Sequence, residues 1–261
     1  MSFQKHTFKH DGLTLSYLDT GSSPVSIGRP VLLCLHAHLM QGATYTALSN
    51  ALAPDYRVIA PDQRGHGDSS HAATYTRHDY LGDIDALLRL LDLPQAVLLG
   101  NSLGGVNAYQ YAARNSDRVQ GLIIEDIGAV VTDDISFILP WQGLFTTREE
   151  LEERIGPRLV PYLRDAFRQS DAGWHLAFDP RDMVRSQQNL VGDHWSDWLA
   201  STCPALVLRG RESRVTSQEH MEQMASLRPH THLVILDGGH ALHADNPGAF
   251  NAVVRGFLDS L

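Results

Sequence analysis

The stretch Gly100-Asn101-Ser102-Leu103-Gly104-Gly105 decides the fold of this chain. The apolar run at residues 96–99 precedes it and predicts a buried strand, and residues 106–114 follow it with the pattern of a helix. A Gly-x-Ser-x-Gly sequence between a strand and a helix is typical of a nucleophile elbow, a turn so tight that its serine adopts a strained backbone conformation. The flanking glycines lack the β-carbons that would collide where strand and helix approach each other. The sequence therefore predicts that Ser102 is a candidate nucleophile at the end of a strand.

Apolar runs recur along the chain with helical segments between them. They lie at residues 31–35, 56–60, 96–99, 119–125, 205–209 and 232–236. This alternation predicts an α/β fold, with a mostly parallel sheet and helices on both of its faces. Residues 3–19 predict a hairpin that turns at Asp11-Gly12. A capping box at Thr216–Glu219 predicts the start of a helix before the last strand, and Asn246-Pro247 predicts the start of the final helix.

Residues 128–203 differ in character from the rest of the chain. They contain all four tryptophans and several helical signals but no clear strand run. The signals are a capping box at Thr146–Glu149, helical spacing of Leu159, Leu163 and Phe167, and a helix start at Asp179-Pro180. A loop of this length without its own structure is uncommon. We therefore predict an inserted helical cap over a core formed by residues 1–127 and 204–261.

Composition and charge exclude several classes of function. The formal net charge is −9 and no Lys/Arg cluster is present, which argues against a nucleic-acid surface. No window approaches 18 uninterrupted apolar residues, and residues 1–6 have no apolar signal core, so we expect neither a membrane span nor export. Cys34 and Cys203 lack metal-site spacing and are expected to be free thiols in a reducing compartment. We expect a soluble cytoplasmic protein, a monomer or homodimer, whose partner is a small molecule.

A serine hydroxyl needs a base that accepts its proton, and the chain offers His240 for this role. Gly238-Gly239-His240 follows the last apolar run, at the sheet edge where open α/β sheets place their sites. The rival is His243, three residues later, for which we expect packing or capping at the start of the last helix. His66, in a Gly-rich loop, is expected to pack beneath the site.

Two backbone N–H groups are candidates for an oxyanion hole, those of Leu103 and His38. His38 follows the first central strand in the sequence Leu35-His36-Ala37-His38, and its side chain is also placed to face the substrate. The alternative is that His36 and His38 form a metal pair. Zinc needs three or four ligands, and nothing nearby completes such a set, so we expect no metal and no cofactor.

The acid that orients the base has two candidates. Asp126 follows the strand after the elbow helix and so emerges at the same edge of the sheet as Ser102. Glu125 points to the opposite face because side chains alternate along a strand. Glu212 follows the penultimate strand and is the alternative acid. We favour Asp126.

These motifs together resemble the α/β-hydrolase superfamily, and the similarity covers essentially the whole chain. The resemblance implies an eight-stranded sheet whose second strand is antiparallel, with a helical cap over the site. Two positions depart from the family pattern: Ala37 replaces the customary glycine of the oxyanion loop, and Ser213 replaces the customary aspartate after the penultimate strand. Some members carry their acid after the strand that follows the elbow, which is the position of Asp126.

Three functions remain open from the sequence. The first is a cofactor-independent serine hydrolase of the esterase type, which cleaves a small carboxylic ester, lactone, thioester or activated amide through an acyl-enzyme on Ser102. The second is a hydrolase of C–C bonds in a β-diketone or vinylogous acid, whose carboxylate the cap arginines could bind (Arg148, Arg164, Arg168, Arg181, Arg185). The third is a ligand receptor that keeps the fold. We expect the substrate pocket to be lined by His36, Trp141, Phe145 and Trp174.

Overall fold

The computed structural model describes residues 2–261 and contains one large sheet and two small ones. Within these residues the strands are β1 (Gln4–His10), β2 (Leu13–Asp19), β3 (Leu32–Leu35), β4 (Val58–Pro61), β5 (Ala96–Asn101), β6 (Val119–Glu125), β7 (Val130–Val131), β8 (Phe167–Ser170), β9 (Gly173–Leu176), β10 (Gly192–Asp193), β11 (Ala205–Gly210) and β12 (Thr231–Leu236). The α-helices of the same residues are α1 (Thr46–Leu52), α2 (Arg77–Leu90), α3 (Leu103–Arg114), α4 (Arg148–Ile155), α5 (Pro180–Leu190), α6 (Trp195–Leu199), α7 (Gln218–Leu227), α8 (Leu242–Asp245) and α9 (Pro247–Asp259).

The large sheet has eight strands in the order β1-β2-β4-β3-β5-β6-β11-β12. Strand β2 runs antiparallel to both of its neighbours, and the other neighbouring pairs are parallel. This confirms the predicted mostly parallel sheet with an antiparallel second strand. Asp11 and Gly12 both have positive φ at the turn between β1 and β2, as a tight hairpin turn requires.

Both faces of the sheet are covered, and β3 shows how. Leu33 and Leu35 belong to the cluster that packs under α2, α3 and α7, whereas Leu32 and Cys34 belong to the cluster under α1 and α9. Successive side chains of a strand point to opposite faces, so a strand buried on both faces is apolar throughout. The continuous apolar run in the sequence is therefore explained by helices on both sides.

The segment 128–203 has its own apolar cluster, which includes Trp141 and Phe145, but it is less helical than predicted. It contains the hairpin β8–β9 and the short ladder β7–β10 besides its helices. The predicted helix through Leu159, Leu163 and Phe167 is wrong, because that stretch forms two 3-10 turns and then enters β8. Pro161 lies within it and cannot donate an intrahelical hydrogen bond. We propose that residues 128–203 form the cap.

Two of the predicted helix starts are displaced by one residue. Helix α4 is capped by Thr147, whose side chain accepts a hydrogen bond from the N–H of Glu150, and not by Thr146. Helix α7 is capped by Ser217, because the hydroxyl of Thr216 makes a hydrogen bond elsewhere. The starts of α5 and α9 after Asp179 and Asn246 are as predicted.

Cys34 and Cys203 are both free thiols, but only Cys34 is buried, whereas Cys203 is half-buried. In the part of the chain from residue 2 onward, no helix combines the length and the apolar character needed to cross a membrane.

Candidate active site

The elbow between β5 and α3 holds Ser102 at φ 52° and ψ −117°, which confirms the predicted strained backbone. A β-carbon at Gly100 would overlap the carbonyl group of Gly104. A β-carbon at Gly104 would overlap the carbonyl oxygen of Leu35 on the neighbouring strand β3. Gly100 is therefore required because β5 and α3 approach each other closely. Gly104 is required because α3 approaches the neighbouring strand β3.

Ser102 and His240 line the same cavity of about 600 Å³, between the end of the sheet and residues of the cap segment. The cavity wall is mostly apolar. Its other lining residues are Ala37, His38, Leu39, Met40, Ile127, Val131, Asp133, Asp134, Ile135, Phe137, Arg158, Leu159, Tyr162, Leu163, Gln187, Leu190, Glu212, Arg214, Val215, Gly239 and Ala241. The hydrogen bonds among residues 2–261 do not include one between the Ser102 hydroxyl and His240. Such bonds are often long in free enzymes and shorten when substrate binds.

Asp126 contacts His240 directly, with 2.7 Å between the carboxylate Oδ2 and the imidazole Nδ1. The Asp126 side chain is fully buried, whereas the imidazole of His240 is 31% exposed. Glu212 also lines the cavity, but its side chain is exposed and makes no hydrogen bond to His240 within residues 2–261. The structure thus brings Asp126, and not Glu212, to the imidazole.

Three further donors surround the Asp126 carboxylate. Oδ1 accepts hydrogen bonds from the hydroxyl of Thr216 at 3.0 Å and from the N–H of Gly210 at 3.3 Å. Oδ2 accepts one from the hydroxyl of Ser213 at 2.5 Å. In the family pattern the position of Ser213 holds an aspartate. Here the Ser213 hydroxyl donates a hydrogen bond to Asp126, the acid that follows β6. These three donors fix the orientation of the buried carboxylate.

The candidate oxyanion donors lie at two different strand ends. Neither the N–H of His38 nor that of Leu103 donates to a protein acceptor among residues 2–261. Leu103 is the first residue of α3, where helix N–H groups have no intrahelical partner and the helix dipole is positive. Both N–H groups are therefore available to a ligand oxygen.

A family model described as alpha/beta hydrolase fold matches residues 30–247. The chain belongs to the α/β hydrolase fold family.

Relatives of this α/β hydrolase extend over almost the whole chain. The 2-(acetamidomethylene)succinate hydrolase of Mesorhizobium japonicum is 26% identical over 263 residues, which cover 95% of this chain and 92% of that protein. The 3-hydroxybutyrate-oligomer hydrolase of Cupriavidus necator is 26% identical over 241 residues, 81% of this chain and 82% of that one. A solved α/β hydrolase structure from Novosphingobium aromaticivorans has a TM-score of 0.82 at 27% identity and covers 100% of this chain and 99% of that chain. All three are named as hydrolases.

The predicted pocket residues are wrong in this hydrolase. His36 is fully buried and absent from the cavity wall, because its Nδ1 bonds the carbonyl of Ala37 and its Nε2 accepts from the N–H of Gln63. Trp141, Phe145 and Trp174 pack in or against the apolar cluster of the cap and do not line the cavity either. The large aromatic side chains of residues 128–203 are used for packing within their own apolar cluster, so few are left for the pocket.

The sequence did not predict the role of Glu125. Its buried carboxylate accepts hydrogen bonds from the backbone N–H and the Nδ1 of His243, each at 2.9 Å. His243 is itself buried, and its Nε2 lies 2.8 Å from the hydroxyl of Thr44. Glu125 is the last residue of β6 and Asp126 follows it directly. These two acids bind His243 and His240, which lie only three positions apart in one short segment. The closeness of the two acids and of the two histidines in the sequence was the signal that could have predicted this pairing.

Three buried histidines lie side by side, and one of them, His38, belongs to the cavity wall. The rings of His36 and His66 are 4.9 Å apart, and those of His38 and His66 are 6.0 Å apart. Burial lowers the pKa of His36 to about 4 and that of His66 to about 3, and it holds the pKa of His38 well below its usual value. All three are therefore neutral near pH 7. Among residues 2–261 no group of three or more His, Cys, Asp or Glu side chains could hold a metal ion.

The charged residues of the cavity wall are also different from those expected. None of the five arginines expected to bind a carboxylate lines the cavity, and three of them, Arg148, Arg168 and Arg185, form ion pairs with acidic side chains. Arg158 and Arg214 line it instead, and both are exposed.

A further acid of the cavity wall is Asp133, from the cap segment. Burial raises the pKa of this carboxyl, although the nearby His240 acts in the opposite direction. The cavity therefore combines apolar walls with charges of both signs.

Proposed function

We propose that this protein is a cofactor-independent serine hydrolase of the esterase type, with Ser102, His240 and Asp126 as its triad. The observation that carries this proposal is the 2.7 Å contact of Asp126 with His240. His240 lines the same cavity as Ser102, which lies at the strained elbow. The three residue types and the order Ser, Asp, His along the chain are those of a triad on this kind of elbow.

Each group has a defined step in this mechanism. His240 accepts the proton of Ser102 as its hydroxyl attacks the substrate carbonyl, and Asp126 stabilises the resulting imidazolium through Nδ1. The N–H groups of His38 and Leu103 bind the oxyanion that forms. His240 then returns the proton to the leaving group, and a water molecule that it activates releases the acyl group from Ser102.

The cavity indicates the class of substrate. Its volume of about 600 Å³ is that of a site for a small molecule, and most of its wall is apolar. We infer a small carboxylic ester, lactone, thioester or activated amide.

A second candidate activity is the hydrolysis of a carboxylated substrate such as a β-diketone or vinylogous acid. It is supported by the relative from Mesorhizobium japonicum, whose named substrate contains a succinate group. Arg158 and Arg214 of the cavity wall could bind a carboxylate there. Comparing turnover of p-nitrophenyl acetate with that of a carboxylated enol substrate distinguishes the two activities.

A fluorophosphonate probe tests the proposal. We expect it to label the purified protein at Ser102, and Ser102→Ala to abolish both labelling and ester turnover. Ser170→Ala, which removes an exposed serine hydroxyl of the cap, serves as the matched control and keeps both. Dialysis against a chelator leaves activity unchanged, because the mechanism uses no metal. Turnover that persists in Ser102→Ala would exclude nucleophilic catalysis by this serine.

A further inference from the structure

The side chain of His38 connects the cavity to the cap through a short chain of hydroxyl groups. Its Nε2 lies 2.8 Å from the hydroxyl of Ser186 on α5, and that hydroxyl lies 2.7 Å from the hydroxyl of Tyr80 on α2. All three side chains are buried. A neutral imidazole has one donor and one acceptor nitrogen, so this chain decides which nitrogen of His38 carries the proton.

The direction of the chain follows from Tyr80. Within residues 2–261 the only hydrogen-bond partner of its hydroxyl is Ser186. A buried phenol O–H that donates to nothing is costly, so Tyr80 donates to Ser186. The proton of Ser186 is then directed at Nε2 of His38, which acts as the acceptor. Burial keeps this imidazole neutral by lowering its pKa, and its single proton is therefore on Nδ1.

The other ring nitrogen of His38 is Nδ1. It has no hydrogen-bond partner among residues 2–261. Several side-chain nitrogens of these residues are both unpartnered and fully enclosed by protein, but Nδ1 of His38 is not among them. It is therefore accessible, and the space that His38 lines is the cavity that Ser102 also lines. The same residue presents a free backbone N–H.

We propose that His38 is a catalytic residue that donates a second hydrogen bond, from Nδ1–H, to the carbonyl oxygen of the bound acyl group. Its backbone N–H and its imidazole then act together on one substrate oxygen, and Ser186 and Tyr80 fix the tautomer that makes this possible. A donor held in place before the reaction stabilises developing negative charge without reorganisation. This inference rests on the proposed serine hydrolase mechanism.

Two substitutions of His38 separate this role from a structural one. The amide nitrogen of an asparagine has the same bonding distance from Cβ as Nδ1, and that of a glutamine has the same bonding distance as Nε2. His38→Asn therefore keeps a donor in the cavity and loses the contact with Ser186, whereas His38→Gln does the reverse. We expect His38→Gln to lower kcat/KM about 100-fold and His38→Asn to retain most of it. The opposite order, or equal activity of both variants, overturns the proposal.

Thermal unfolding and fluorophosphonate labelling of both variants make the comparison independent of folding. If Ser102→Ala keeps turnover, the serine mechanism itself fails, whereas labelled, folded His38→Gln with full activity refutes only the role of the side chain.

The tautomer can be observed directly. In protein labelled with ¹⁵N-histidine, we expect the His38 signal, identified by its loss in His38→Asn, to have the shifts of an Nδ1–H tautomer. Ser186→Ala removes the donor to Nε2 and shifts this signal. An Nε2–H tautomer in the unsubstituted protein contradicts the proposal.

Discussion

The carboxylate of Asp126 is held by groups from three positions on the segment 210–216, which begins at the last residue of β11. Its own φ of 49° is unusual for a non-glycine residue and turns the side chain toward these donors. The hydroxyl groups of Ser213 and Thr216 orient the carboxylate, whose Oδ2 also contacts His240. Asp126 is therefore positioned as the partner of the imidazole by residues from a different strand.

Replacing the acid tests this arrangement. We expect Asp126→Asn to lower kcat by about 10³- to 10⁴-fold, because an amide at this position favours the wrong tautomer of His240. Glu212→Gln is the matched control on the cavity wall and should change kcat by less than about threefold, within the effect of an exposed charge. The reverse order of the two effects would assign the acid to Glu212.

The position of Ser213 allows the acid to be moved. Its hydroxyl lies 2.5 Å from the carboxylate oxygen that contacts His240, so a carboxylate at 213 can reach the same nitrogen. We expect the double variant Asp126→Asn/Ser213→Asp to recover at least about tenfold in kcat over Asp126→Asn alone. Ser213→Ala in the Asp126→Asn background supplies no carboxylate and is the control. No recovery in the double variant contradicts this geometry.

At the scale of elements, the close approach of α3 to β3 limits what the elbow tolerates. A methyl group at Gly104 would overlap backbone of β3, which cannot move without breaking the sheet. In contrast, Gly256 lies exposed in α9, where an added β-carbon meets nothing within 4 Å. The two glycines have the same helical backbone but opposite surroundings.

Alanine substitutions measure this difference. We expect Gly256→Ala to raise the free energy of unfolding by about 0.5–1 kcal/mol, because alanine loses less conformational entropy in a helix. Gly104→Ala should lower it by more than about 2 kcal/mol and reduce the rate of labelling at Ser102, since overpacking displaces the elbow. Chemical denaturation of both variants gives the comparison. Equal changes in the free energy of unfolding of the two variants would show that the close approach of α3 to β3 does not restrict the residue at position 104.

At the scale of the whole molecule, the buried histidines predict how stability depends on pH. Their folded pKa values lie below that of an unfolded histidine, near 6.5, so the unfolded chain binds more protons as the pH falls. These histidines therefore do not lower the free energy of unfolding above about pH 6.5, but they lower it progressively as the pH falls towards 3 to 4. Asp62 and Asp83, whose pKa is raised by burial, offset part of this loss because the folded state protonates them more readily.

The free energy of unfolding should therefore fall between pH 6.5 and 4.5, by roughly 1.4 kcal/mol per pH unit for each fully shifted histidine. Urea denaturation at several pH values measures it. His232→Gln, which removes an exposed histidine, is expected to leave the slope unchanged. A stability that does not vary over this range contradicts the prediction.

The sequence predicted the parts of this molecule that depend on local pattern. The run before Ser102 and the glycines around it determine strand, turn and helix within a few residues, so the elbow could be predicted. The pocket wall could not, because packing in the cap decides whether an aromatic such as Trp141 faces a cavity or a core. The displaced cap of α7 has a similar cause: the hydroxyl of Thr216 is bound by Asp126, which is 90 residues away in the chain.

The adjacency of Glu125 and Asp126 has a consequence for how this chain can change over evolutionary time. These two neighbouring carboxylates hold His240 and His243 on a single segment. Deleting one residue within β6 would displace both acids relative to this segment and would break both histidine contacts together. The length of this strand is therefore constrained by the histidine segment that its two acids hold.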